Sequence, residues 1–192
     1  RDWSSDVCSS DLRREINQVV YFGLALEGHN TVLPSSALYD SKLRDAPFDL
    51  AQANRLLDEI GLRRQRPRGL RMLPDGRPLE ITVETAGEDT EQTDVLQLVH
   101  DTWLEAGIKL FIKPSQREYF RNRVFAGKSV MTIWSGVENG LAGPSTDPEE
   151  FTPVSQQHLQ WPKRGQHAET AGRSGEAIDD PAARELLLLE HA

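Results

Sequence analysis

Apolar residues change their period along this chain, and each change marks where one kind of element gives way to another. Ala53, Leu56, Leu57 and Ile60 recur at i, i+3, i+4 and i+7, which predicts a helix with one buried stripe. Asp49 opens that helix with a carboxylate placed to cap it, Gln52 stands three residues on to reach back, and Gly61 stops it. Leu79, Ile81 and Val83 then alternate with Glu80, Thr82 and Glu84, the period of a strand with one buried face. A helix over 94–106 carries Val95, Leu96, Val99 and Trp103 on one stripe and ends at Gly107. Ile108, Leu110 and Ile112 predict a second strand, and Val130–Trp134 a third. Between them, Ser115 and Glu118 have the S-x-x-E spacing of a capping box for a helix that runs to Phe125 and stops at Gly127. Upstream, Ile16, Val19, Val20 and Phe22 predict the end of a helix before Gly23, and residues 28–47 read as loop.

Strands alternating with helices of this length imply right-handed crossovers and a parallel sheet, so the fold class is α/β. In open α/β sheets ligands sit outside the carboxyl ends of the strands. Those ends are Thr85-Ala86-Gly87, Pro114-Ser115 and Trp134-Ser135-Gly136, where small and polar groups converge with one large aromatic. The rim they form is the candidate ligand site. Each of these residues alone has an ordinary structural explanation, Trp134 as a core cap and Gly87 as a turn.

Composition narrows the chemistry. The 192 residues carry a net charge of −8, which becomes −6 without residues 1–12, where one Arg and three Asp lie. An acidic chain is a poor candidate for general nucleic-acid binding. Five arginines fall within residues 63–71 (Arg63, Arg64, Arg66, Arg68 and Arg71), but Pro67 and Gly69 make that stretch a loop, read here as a solvated connector. The single cysteine is Cys8, so neither a disulfide framework nor a thiolate metal site is expected. No apolar run reaches the roughly 18 residues of a membrane span. No secretory leader is read in these residues, which leaves the compartment open.

Catalytic and metal signals are weak. His158, His167 and Glu169 lie in a Gly- and Pro-punctuated stretch without the i, i+4 spacing of a helical zinc site. Adjacent acids at Glu149-Glu150 and Asp179-Asp180 point apart on any regular element, and Asp180-Pro181 reads as a helix start. Gly136, Gly140 and Gly143 precede no helix with an apolar stripe and make no nucleotide loop. No cofactor is expected.

Three segments carry a resemblance: FDLAQANRLLDEIGL ending at Leu62, DGRPLEITVET ending at Thr85, and WLEAGIKLFI ending at Ile112. Together they resemble the family 5 extracellular solute-binding proteins, the receptor subunits of bacterial peptide and nickel ABC importers. Gly69-Leu70-Arg71 and Asp75-Gly76 match turns of that family. The resemblance implies a periplasmic-binding-protein type II-like lobe, a parallel-rich sheet flanked by helices, present as an incomplete domain. Residues 1–12 look like translated sequencing-adapter DNA, 13–150 form the second (C-terminal) lobe, and 151–192 return toward a missing first lobe. The stretch 151–178, rich in Gln, Gly and Pro, is expected to pack poorly without that lobe, and Leu186–Leu189 to be exposed on a truncated helix.

The resemblance also names a site. Trp134 lines the cleft of the second lobe, followed by Ser135, Gly136, Glu138 and Asn139, with Thr85, Gly87 and Ser115 on the neighbouring strand ends. Members that grip a peptide amine place an aspartate three residues after the tryptophan; here Val137 stands there and Glu138 follows it. Glu138 either replaces that aspartate or is solvated. Thr85–Asp89 lacks the arginine by which some members hold a carboxylate, and the stretch from Gly140 to Thr146 looks longer than in the simplest members. The function implied is capture of a small solute or oligopeptide between two lobes for delivery to ABC permease subunits, in the periplasm or at the cell exterior, lipid-anchored or soluble. Two alternatives are a ligand-sensing domain of a transcription regulator and a hydrolase using Glu138 with Asp147.

Overall fold

The computed structural model describes residues 10–25, 35–36, 39–40, 48–88, 90–134, 154–157, 159, 161–177, 181 and 184–185. Its elements in chain order are α1 (Ser10–Val20), α2 (Leu50–Glu59), β1 (Glu80–Thr85), α3 (Thr90–Glu105), β2 (Lys109–Pro114), α4 (Arg117–Phe125), β3 (Met131–Thr132) and α5 (Pro162–Glu169). The three strands are parallel, in the order β2-β1-β3, with Val83 opposite both Ile112 and Met131. Because β1 is central, the step from β1 to β2 and the step from β2 to β3 cross the sheet in opposite directions. Right-handed connections then place α3 and α4 on opposite faces.

Packing follows that geometry. Under α3, Leu96, Trp103 and Ala106 bury against Val83, Ile108, Leu110, Leu79 and Leu57 of α2. Under α4, a second cluster joins Phe120 and Val124 to Ala86, with Trp134 and Leu159 against it. α1 lies on α3, and the Tyr21 hydroxyl donates to Glu91 at the start of α3. Asn17 is buried and fixes the chain beyond α1 with two bonds to Ala25, at 2.9 and 3.0 Å.

Several expectations are met and several corrected. Asp49 caps α2 by accepting from the Gln52 backbone N–H at 2.8 Å, and Ala53 and Leu57 are buried. Ile60 is not on the buried stripe: it is 61% exposed, because α2 ends at Glu59 and Ile60 is already the turning C-cap residue. α3 begins at Thr90, one turn earlier than expected. β3 is only two residues long, extended by the Ile133 N–H donating to the Glu84 carbonyl at 3.1 Å. The capping box of Ser115 does not form. Gln116 is the N-cap of α4, without a side-chain capping bond, and the Ser115 hydroxyl lies 3.5 Å from the Thr85 carbonyl instead. With Gln116 as the N-cap, the helix starts one residue later than the spacing of the box requires.

The arginine loop is also corrected. Arg71 is 1% exposed rather than solvated. Its guanidinium donates to the carbonyls of Ala106 (2.7 Å), Asn54 (3.1 Å) and Leu62, to Asn54 Oδ1 (2.7 Å), and pairs with Asp58 (2.6 Å). Arg64 reaches Asn54 Oδ1 at 3.0 Å and the Glu105 carbonyl. Between them the two side chains satisfy the Glu105 and Ala106 carbonyls, which the end of α3 leaves without intrahelical partners, and the Leu62 carbonyl in the turn after α2.

Residues 161–177 pack better than expected. His167 and Glu169 lie on α5, which opens with Pro162 at a position that needs no N–H. Gly165 is buried so closely on the preceding loop that a Cβ there would lie 2.1 Å from the Ser155 carbonyl oxygen. The Glu176 N–H returns to the Lys163 carbonyl at 3.0 Å. Residues 186–189 lie outside the described residues.

Candidate functional site

The carboxyl ends of β1 and β2 meet as a pair of touching loops. Ser115 N–H donates to the Thr85 carbonyl at 3.1 Å, so the last strand bond carries on into the rim. Gly87 turns the first loop with φ +65°, and a Cβ there would lie 2.9 Å from the Ser115 carbonyl oxygen. Conformation and space both require glycine at that point. Thr85 itself is 1% exposed and contributes its backbone; Ser115 is half-buried and Gly87 exposed.

Trp134 completes the rim from β3. Its ring stacks on the fully buried Phe120 of α4, with centroids 5.8 Å apart and planes 18° from parallel. Such a pair contributes about 0.5–1.5 kcal/mol beyond area burial. The Arg117 guanidinium also lies against the indole, 5.2 Å from the ring centroid. Arg117 also lies 3.3 Å from Glu88, both side chains about half exposed. Ala86, Gly87, Glu88, Pro114, Ser115, Gln116 and Arg117 line an open cavity of about 370 Å³.

One buried ion pair holds α4 in place over the sheet. Glu84, 3% exposed, accepts from Arg123 in a two-pronged arrangement at 2.6 and 2.7 Å, with Lys113 3.8 Å away. The hydrogen bonds from Arg123 pull the Glu84 carboxyl below its ordinary value, and the same bonds raise the Arg123 guanidinium. The alternation of β1 assigned Glu84 to a solvated face. It is covered because α4 packs on that face near the end of the strand.

The structure therefore brings Gly87, Ser115 and Trp134 together, while Thr85, expected to face the ligand, is buried behind them at 1% exposure with its carbonyl bonded to Ser115. Ser135, Gly136, Glu138 and Asn139, with Val137 and Asp147, lie outside the described residues. Sequence reasoning missed Arg117. It stands two residues after Ser115, and following each strand end into the next helical turn would have found it. Among the described residues, no group of three His, Cys, Asp or Glu side chains gathers to hold a metal, and no helix is long and apolar enough to cross a membrane.

A parallel sheet with helices on both faces makes an α/β layer, and its likeness to solved binding proteins gives it the periplasmic-binding-protein type II fold. The sequence model of the bacterial extracellular solute-binding proteins, family 5 (Middle), matches residues 13–157, and the chain belongs to that family. Di/tripeptide-binding protein 3 of Pseudomonas aeruginosa is 27% identical over 139 residues, which cover 72% of this chain and 24% of that protein. Among solved structures, the oligopeptide-binding protein OppA superposes with a TM-score of 0.72 at 23% identity, covering 98% of this chain and 31% of that one. The periplasmic binding protein MelB of Agrobacterium fabrum C58, in complex with stachyose, gives a TM-score of 0.72 at 16% identity, covering 98% of this chain and 27% of that one. The chain thus spans about a quarter of the length of the curated relative it matches.

Proposed function

We propose that this chain is one lobe of a longer solute receptor, with residues 13–150 as the second lobe and 151–192 leading back toward the first. The observation that carries this reading is the open cavity at the strand ends lined by Gly87, Ser115 and Arg117, with Trp134 against Arg117, in a chain of this family. A cavity open on one side encloses a solute only when a second surface closes on it. Closure then draws its energy from contacts made only in the shut state. The rim chemistry suits a small solute with polar ends, and the named relative supports a di- or tripeptide.

In this reading the receptor works outside the cytoplasm and hands its solute to ABC permease subunits. It performs no covalent step. In this reading Ser135, Gly136, Glu138 and Asn139 are further contacts for the solute.

Calorimetry on the isolated chain and on the complete gene product tests the proposal. The isolated chain should show no heat of binding with di- and tripeptides at millimolar concentration, while the complete protein binds at least one solute in the micromolar range or tighter. Micromolar binding by the isolated chain would contradict the two-lobe reading.

A further inference from the structure

Resting on the receptor reading above, we propose that Glu84 is a positioning residue that sets the orientation of Trp134 toward the solute. Two connections run from Glu84 to the indole. One is the backbone. β3 pairs with β1 at Val83 opposite Met131 and Glu84 opposite Thr132, and the Ile133 N–H then donates to the Glu84 carbonyl at 3.1 Å. That bond ties the chain to β1 one residue before Trp134. The other connection runs through the side chain. The Glu84 carboxylate accepts from Arg123 Nε and Nη2 at 2.6 and 2.7 Å. Arg123 stands three residues after Phe120 on α4, a spacing that makes the two neighbours on one side of the helix. The fully buried Phe120 in turn stacks on Trp134.

The path closes on itself, from the carboxylate through Arg123, Phe120, Trp134 and Ile133 to the carbonyl of the same Glu84. What the ion pair adds is direction. Contacts of Phe120 and Val124 with Ala86 press α4 onto the sheet, but apolar burial is non-directional and tolerates a slide along β1. A two-pronged guanidinium–carboxylate bond fixes both distance and plane, so it holds α4 in register with the strand. Arg123 also donates to the Lys128 carbonyl at 3.2 Å, and Lys113 stands 3.8 Å from the carboxylate. With the fork broken, Phe120 shifts under the indole and Trp134 loses its fixed plane. A contact group keeps its affinity only when packing and hydrogen bonds behind it hold it within about 0.5 Å. Glu84 is 3% exposed, so it acts on the solute through Trp134.

The test joins calorimetry, with alanyl-alanine and trialanine as probes, to fluorine NMR on the complete gene product grown with 5-fluorotryptophan. The Trp134 line is the one lost in Trp134→Phe. Glu84→Gln is compared with wild type and with Arg123→Lys, which keeps a cation but not the fork, at a temperature where all are folded. If Glu84→Gln fails to fold, Arg123→Lys carries the test. Both variants should shift or broaden the Trp134 line and leave that of Trp103, buried on the opposite face, in place. Both should weaken binding of the peptide that wild type holds by about tenfold. With Trp134→Ala already in place, Glu84→Gln should cause no further loss, because the effect passes through the indole. A Trp134 line unmoved in the folded variants overturns the inference, as does an equal loss of affinity with and without the indole. A merely stabilising pair would lower the melting temperature and leave line and affinity as in wild type. A wild type that binds neither peptide counts against the receptor reading, and the Trp134 line then decides the inference alone.

Discussion

Replacing Arg71 with alanine should cost this chain about 3–5 kcal/mol of stability, the range for removing one member of a buried charged network. The reason lies in what the side chain holds. One guanidinium ties α2 (Asn54 and Asp58), the turn at Leu62 and the end of α3 (Ala106) into a single knot, at 1% exposure. Without it, carbonyls that lack helical partners are left in a cavity too polar to collapse. Arg71→Lys should rescue little, because a single ammonium cannot span acceptors spread around a planar fork. Asp58→Asn should cost less than about 1 kcal/mol, since that carboxylate is 56% exposed and the carbonyls remain satisfied. Urea unfolding of the chain measures all three. An Arg71→Ala loss no larger than that of Asp58→Asn would show that the pair, and not the carbonyl knot, matters.

The second large effect belongs to Glu84 and Arg123. Glu84→Ala should destabilise the chain near neutral pH, because it removes both carboxylate acceptors from Arg123, which is 26% exposed and keeps only its bond to the Lys128 carbonyl and its place over Tyr119. Its pH dependence has a definite sign. The folded state holds the Glu84 carboxyl below its ordinary 4.5, so the stabilisation is complete above that value and is lost as pH falls below it. The stability difference between wild type and Glu84→Gln should therefore shrink as pH drops below about 4.5. A difference that stays constant from neutral pH to pH 3 would show that packing, and not the charge, is responsible. Because Arg123 lies on α4, the same loss should loosen the helix that carries Arg117 and Phe120.

These two networks show where sequence reading stops. Local pattern was enough for the sheet: the alternation at Leu79–Glu84 and the apolar stripe at Leu96 and Trp103 depend on near neighbours along the chain. Arg71 was misread because its burial is decided by Ala106, 35 residues away, while its immediate neighbours are a proline, a glycine and four more arginines. Glu84 was misread because strict alternation assumes one covered face, whereas crossovers in opposite directions cover both. Ser115 has the spacing of a cap, but the helix begins one residue later, with Gln116 as its N-cap. The helix at Pro162 was legible in principle, since proline favours the first helical turn; the glycine inside it masked the signal. The rim was legible as strand ends. Its cation was not, because Arg117 belongs to the following helix.

The central claim is that the ends of β1, β2 and β3 face the solute. Hydrogen–deuterium exchange on the complete gene product, with and without a solute that it binds, tests this most directly. Added solute should slow exchange of the amides at 86–88, 115–117 and 133–134, and leave α1 unchanged. Slowed exchange confined to other surfaces, with those three loops exchanging as before, would contradict the account.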